Sequence, residues 1–290
     1  MILVDANSLC HRAKHSMGDL SWNQKKVGVM FGVVRDILTL AKLFESNEFV
    51  FAWDSRSSRR EKIFPEYKFQ RRKEKTPEEE ELDAIAYTQF DKLRTDIIPT
   101  MGFKNSFVQE GFEADDIIAS LVLSNAGDTI HIISTDEDLY QLLSEKVDMY
   151  SMKKKQFYTN VSLWKEFRIV PPNWIEVKAI AGCKTDGVPG VPGVGEKTAC
   201  KYINHRLNPR YKTYQDIANS EDLIERNRKL VKLPFEGTPY FLTSQDDLSL
   251  SNFLDICEEY GFRSFLEKEM LNKWKSLVFY RDSNKEVSHG

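Results

Sequence analysis

The chain has 290 residues, 41% of them hydrophobic and 29% charged, and a formal net charge of −3. That length holds one large domain or two modest ones with a real core, and no run of about 18 apolar residues exists to span a membrane. The opening MILVDANSLC lacks the basic start of a secretory signal, and the four cysteines (Cys10, Cys183, Cys200, Cys257) form no CxxC pair, which argues against a disulfide framework and structural zinc and points to a reducing cytoplasm.

In chain order, the apolar run 2–4 predicts a strand ending on Asp5. Val27, Phe31, Val34, Leu38 and Ala41 recur at helical spacing, so 27–44 reads as an amphipathic helix. FVFAW at 49–53 is a second strand, closed by Asp54. Residues 55–75 carry nine Lys/Arg against three Glu and no apolar period, so this segment is expected to be exposed and mobile. Pro77 and the acids after it open a helix running to Ile98. A strand over 105–108, a helix over 113–123 and a buried strand over 129–134 follow, then a small pair of strands at 147–150 and 156–158. Alternating strands and helices predict an α/β layer with a largely parallel sheet. From Pro171 the pattern turns helical, which places a boundary near 165–175; the last ten residues look frayed.

Asp5, Asp54 and Asp136 each follow an apolar strand, and ligands of open parallel sheets bind at the strands' carboxyl ends. FEADD adds Glu113, Asp115 and Asp116; STDED adds Asp138. An Asp at a helix start is commonly only a cap. So many carboxylates in one place repel strongly, however, and hard oxygen donors without His or Cys spacing suit Mg²⁺ or Mn²⁺.

GVPGVGEKTA (190–199) has the form of a helix–hairpin–helix turn. Gly190, Gly193 and Gly195 permit close backbone approach, the helix opening at Glu196 can hold a phosphate, and Lys197, Lys201 and Arg206 add charge. The plain alternative is a Gly/Pro loop between packed helices; non-specific DNA binding fits the spacing better.

Asp5, Asp54, the basic YK segment, EADD, STDED and GVPGVG occur in an order that resembles the 5′ nuclease family. These are the flap endonucleases and 5′–3′ exonucleases, which include the stand-alone bacteriophage enzymes and relatives of the nuclease domain of bacterial DNA polymerase I. The resemblance covers roughly residues 1–205. It implies an α/β, PIN-like 5′ nuclease fold: a central, mostly parallel sheet, a helical arch or clamp, and a C-terminal helix–hairpin–helix (helix–three-turn–helix) module. The division it implies is a catalytic domain over 1–170, with the arch at 55–98, and a helical DNA-binding region over 171–290, with the hairpin module at 178–204.

The same resemblance implies hydrolysis of phosphodiesters at 5′ flaps and 5′ ends of DNA, with RNA primers or an RNA–DNA hybrid as a further substrate, by a monomer serving replication and repair. It implies two metal ions held among Asp5, Asp54, Glu113, Asp115, Asp116, Asp136, Asp138 and Asp186, with Asp5 and Asp54 counted as catalytic, and K⁺ at the hairpin. Lys68 and Arg71, in PEYKFQRR (65–72), fall where the family holds the scissile phosphate; Arg12 and Lys178 fall at basic positions near the substrate. One departure is visible. The family's GDxxDN reads here Gly182-Cys183-Lys184-Thr185-Asp186-Gly187, so one acid is a thiol. Two rivals stand beside this reading. A PIN-type ribonuclease would lack the hairpin module, and a non-catalytic junction binder would bind without cutting.

Overall fold

The computed structural model describes residues 1–69 and 76–280. The elements begin with β1 (Ile2–Asp5), α1 (Ala6–Met17), the short pair β2 (Ser21–Trp22) and β3 (Lys25–Lys26), α2 (Gly28–Phe44), β4 (Phe49–Trp53) and α3 (Ser58–Ile63). They continue with α4 (Pro77–Lys92), α5 (Ile98–Thr100), β5 (Ser106–Val108), α6 (Ala114–Ser124), β6 (Ile130–Ile133), β7 (Val147–Ser151) and β8 (Gln156–Tyr158). The remainder is α7 (Asn160–Phe167), α8 (Trp174–Ala181), β9 (Gly182–Cys183), β10 (Val188–Pro189), α9 (Glu196–Ile203), α10 (Lys212–Ala218), α11 (Glu221–Val231), α12 (Leu250–Glu259), α13 (Arg263–Leu266) and α14 (Lys268–Trp274). The larger sheet is mixed and mostly parallel, as the alternating pattern predicts.

The chain forms two compact units, one of Met1–Phe51, Thr76–Phe107 and Thr243–Gly290, the other of Ala52–Lys75 and Val108–Leu242. The stretch from 171 onward therefore contributes to both. In the first unit the strand order is β5-β4-β1. β1 and β4 are buried along their whole length, which is why they read as continuous apolar runs rather than alternating ones. α4 starts where the sequence signals it: the Thr76 hydroxyl accepts from Glu79 N, the Glu79 carboxylate accepts from Thr76 N, and Pro77 follows. Residues 243–280 supply an aromatic core. Phe265 stacks on Phe31 of α2 with ring centroids 4.7 Å apart, and Phe253 lies 4.4 Å from Trp274.

In the second unit the order is β6-β7-β8. β6 and β7 are parallel, β7 and β8 antiparallel, so the expected small pair of strands extends a sheet. The expectation of an exposed 55–75 needs correction within its described part, 55–69. α3 buries Arg60, and Tyr67 is buried too, because both side chains find carboxylates beneath them. Arg71 and the last ten residues lie outside the described residues. Among the described residues no helix is long and apolar enough to cross a membrane.

Candidate active site

α6 begins with a reciprocal cap: Glu113 N donates to Asp116 Oδ2 at 3.0 Å, one turn on. Asp116 is fully buried and its oxygens are filled. Arg60 Nη1 and Phe235 N donate to Oδ2 and Oδ1 at 2.6 and 2.9 Å, and Arg60 Nη2 reaches Oδ1 at 2.8 Å. Four donors on two oxygens leave none free for a cation, so Asp116 is withdrawn from the expected metal ligands; it is the counter-ion of Arg60.

Glu113 shares that guanidinium, with Arg60 Nη1 3.5 Å from its Oε2. Burial alone would raise its pKa, but Lys68 and Arg60 beside it hold the carboxyl down to about 2. Lys68 Nζ is bonded to Glu113 Oε1 and lies 3.7 Å from Asp186. The Tyr67 hydroxyl stands 3.0 Å from Glu113 and 3.3 Å from Asp186. Its one proton can serve only one of them at a time, and burial and those carboxylates push its pKa up, so it stays a donor. Lys68 itself has a left-handed backbone, φ +55, fixed by its N–H on Asp186 O at 2.7 Å. Asp115, half-buried, shares this helix start, and exposed Asp54 accepts from Ala114 N at 2.8 Å.

The 3₁₀ turn after β6 carries the densest charge. Asp136 caps it, accepting from Asp138 N at 2.8 Å. Asp138, Cys183 and Asp186 bring one ligand atom each to within 4.8 Å of one another, all buried. Burial and then Asp186 push the Asp136 pKa up; burial and then Asp136 push Asp138 up to about 7. Lys178, from α8, sits 3.0 Å from Asp138 Oδ1 and 3.1 Å from Glu196. Lys178 is therefore the charge partner of that oxygen. Burial and then Asp138 push the Cys183 thiol up to about 12, so it is neutral and bonded to Thr185 Oγ1 at 3.1 Å. Carboxylates that repel one another at such close quarters are a fit for a hard divalent cation. The neutral thiol is the poor member of the set.

β9 and β10 pair antiparallel, Cys183 with Val188 and Gly182 with Pro189, which hangs the 182–189 loop beneath the acids. Here close approach demands glycine. A Cβ on Gly190 would lie 2.1 Å from Ala181 O, while Gly182, at φ +76, would meet Gly190 N at 2.3 Å. Gly190→Ala is expected to cost about 2 kcal/mol or more and to lower Tm by several degrees, as a thermal melt will read. Gly193 has φ +76, and Gly195 caps α9 with open space around it. Lys197 and Lys201 are exposed on α9. Buried Asn227, from α11, pins the turn by donating to Ala179 O and Pro189 O at 2.9 and 2.8 Å.

The second unit thus gathers Asp54, Glu113, Asp115, Asp136, Asp138, Asp186, Lys68 and Lys178. Asp5 lies in the first unit, capping α1 by accepting from Ser8 N at 2.9 Å; Arg12 there is paired with buried Asp36. Arg60, Tyr67 and Glu196 were not read as site residues. Arg60 is one cation in a basic run, with nothing in the sequence to single it out, whereas Tyr67 sits inside the PEYK string and was within reach.

Residues 1–168 match a family described as the 5′–3′ exonuclease, N-terminal resolvase-like domain. The 5′–3′ exonuclease of Aquifex aeolicus is 30% identical over 245 residues, covering 80% of this chain and 81% of that protein. A T5 5′-exonuclease solved with bound zinc superposes with a TM-score of 0.71 at 27% identity, covering 81% of this chain and 89% of that one. The bacteriophage T5 flap endonuclease, solved as a pseudo-enzyme-product complex with DNA and metal ions, gives 0.66 at 27% identity, with coverages of 80% and 89%. Each is a protein that this chain resembles.

Proposed function

The chain belongs to the 5′–3′ exonuclease family, and from that premise we propose how its own residues carry out the family's hydrolysis at 5′ flaps and 5′ ends. It is a metal-dependent 5′ nuclease that acts on DNA. The observation that carries the reading is the acid cluster of Asp136, Asp138 and Asp186, whose carboxylates repel one another and raise the pKa of Asp136 and Asp138.

The metal ligands in this reading are Asp136, Asp138 and Asp186 with Glu113, Asp115 and Asp54, and, by motif order alone, Asp5. The ions are Mg²⁺ or Mn²⁺, two in number; bound there, they activate water and offset charge on the leaving oxygen. Lys178 orients Asp138. Lys68, with Arg71, neutralises the phosphate as it gains charge. Lys197 and Lys201 on α9, with the 190–195 glycine turn, hold the duplex by its phosphates, with K⁺ at that turn. The functional division is catalysis by 1–170 together with Lys178 and Asp186, and DNA binding by the hairpin module over 178–204, in a cytoplasmic monomer. An RNA–DNA hybrid is a second substrate class, since phosphate contacts do not read the sugar.

The test is cleavage of labelled 5′-flap DNA, single-stranded RNA and a hybrid across a Mg²⁺ series. Flap cutting that EDTA stops supports the reading; cutting of RNA alone, or binding without cutting, overturns it. Cys183 adds a sharper expectation. Because its thiol stays protonated beside Asp138 and Asp186, Cys183→Asp should lower the Mg²⁺ concentration for half-maximal cleavage. DNA affinity in Ca²⁺ should change far less. Superimposable Mg²⁺ curves would make the thiol a neutral replacement.

A further inference from the structure

Arg60 is the most buried Lys or Arg among the described residues, with a side chain 3% exposed, and the hydrolysis above gives it no task. Stripping water from a guanidinium is costly unless every donor is matched. Here most are: the fork grips Asp116 through Nη1 and Nη2, Nε donates to Leu230 O at 3.0 Å, and Nη1 pairs with Glu113 Oε2 at 3.5 Å. Leu230 is in the last turn of α11. A second side chain reaches the same place from the other acidic turn. Buried Gln141 donates to Asp138 O at 2.8 Å and to Val231 O at 3.0 Å, and accepts from Leu233 N at 2.9 Å.

We propose that Arg60 and Gln141 are positioning residues that seat both carboxylate turns, Glu113–Asp116 and Asp136–Asp138, on one rigid support, the C-terminal end of α11. The inference rests on the metal-dependent nuclease reading. Neither residue touches substrate or metal. Each fixes the spacing of acids that arise from separate stretches of chain and repel one another, and that α11 also carries Asn227 beneath the glycine turn. Lysine could not replace Arg60, because one ammonium cannot span Asp116, Glu113 and Leu230 O together.

Two variants test this. Arg60→Met/Asp116→Asn removes both buried charges at once, avoiding an orphaned carboxylate; Gln141→Met keeps side-chain volume. Mn²⁺ affinity by calorimetry without DNA, Kd for flap DNA at saturating Ca²⁺, and Tm are measured for each. Supporting second-sphere partners of a metal site typically contribute about tenfold or more to affinity. The expected result is Mn²⁺ binding weakened about tenfold with DNA Kd within about twofold of wild type. Folded variants that bind Mn²⁺ like wild type overturn the proposal, as does an equal loss of Mn²⁺ and DNA binding, which signals general loosening. If the double variant does not fold, Gln141→Met decides alone. Wild type that neither binds Mn²⁺ nor cuts flaps would instead sink the nuclease reading.

Discussion

Asp136→Asn is expected to lower flap cleavage by roughly 10³-fold, about 4 kcal/mol of barrier, while the metal-free protein melts at a higher temperature than wild type. Both effects have one cause. The Asp136 carboxyl is half-buried and feels the charge of Asp186, so its ionised form is unfavourable until a cation arrives. The pH dependence carries the same signature. Asp138 is pushed up to about 7 in the folded chain, so between the ordinary carboxylate range and pH 7 the folded state holds a proton that the unfolded state has lost. Stability from this group is then present at low pH and falls as pH rises toward 7. Melts in EDTA should therefore show a lower Tm at pH 8 than at pH 5.5, and Asp138→Asn should flatten that slope. Full activity of Asp136→Asn, or full wild-type activity in EDTA, would remove the metal site.

Lys68→Ala is expected to reduce single-turnover cleavage about 10²–10³-fold with little change in DNA Kd, since a cation aimed at the phosphate matters most as charge develops. The same substitution takes one of two cations from Glu113. Glu113, held at about 2, contributes stability that is full above its ordinary pKa and lost as pH falls toward 2. Without Lys68 its pKa rises, so that contribution shrinks and acid unfolding should begin at a higher pH. Equal losses in turnover and binding would reduce Lys68 to a generic phosphate contact.

The strands and their terminal acids were legible because each is a short apolar run that stops at or near Asp: Asp5 at the end of β1, Asp54 after β4, and Asp136 shortly after β6. The cap of α4 was legible because Pro and acids mark it locally. Asp116 was not, because EADD reads as a row of equivalent acids; only the fold shows that one of them faces a guanidinium from 56 residues upstream. Arg60 was hidden by its eight cationic neighbours between 55 and 75, which made burial look implausible. The role of 243–280 was equally invisible, since aromatic helices do not announce which older helix they cover.

That last cover sets an order of events during synthesis. α2 leaves the ribosome early, yet Phe31 meets its stacking partner only when Phe265 emerges. The main-chain bonds from Asp247 N to Gly102 O, from Ser249 N to Met101 O, and the Asn47 side chain's bond to Val278 O span similarly long loops. Contacts so distant along the chain make folding slow. The face of α2 that Phe265 covers must wait for residues 243–280, so chain order, not only thermodynamics, decides when the first unit closes.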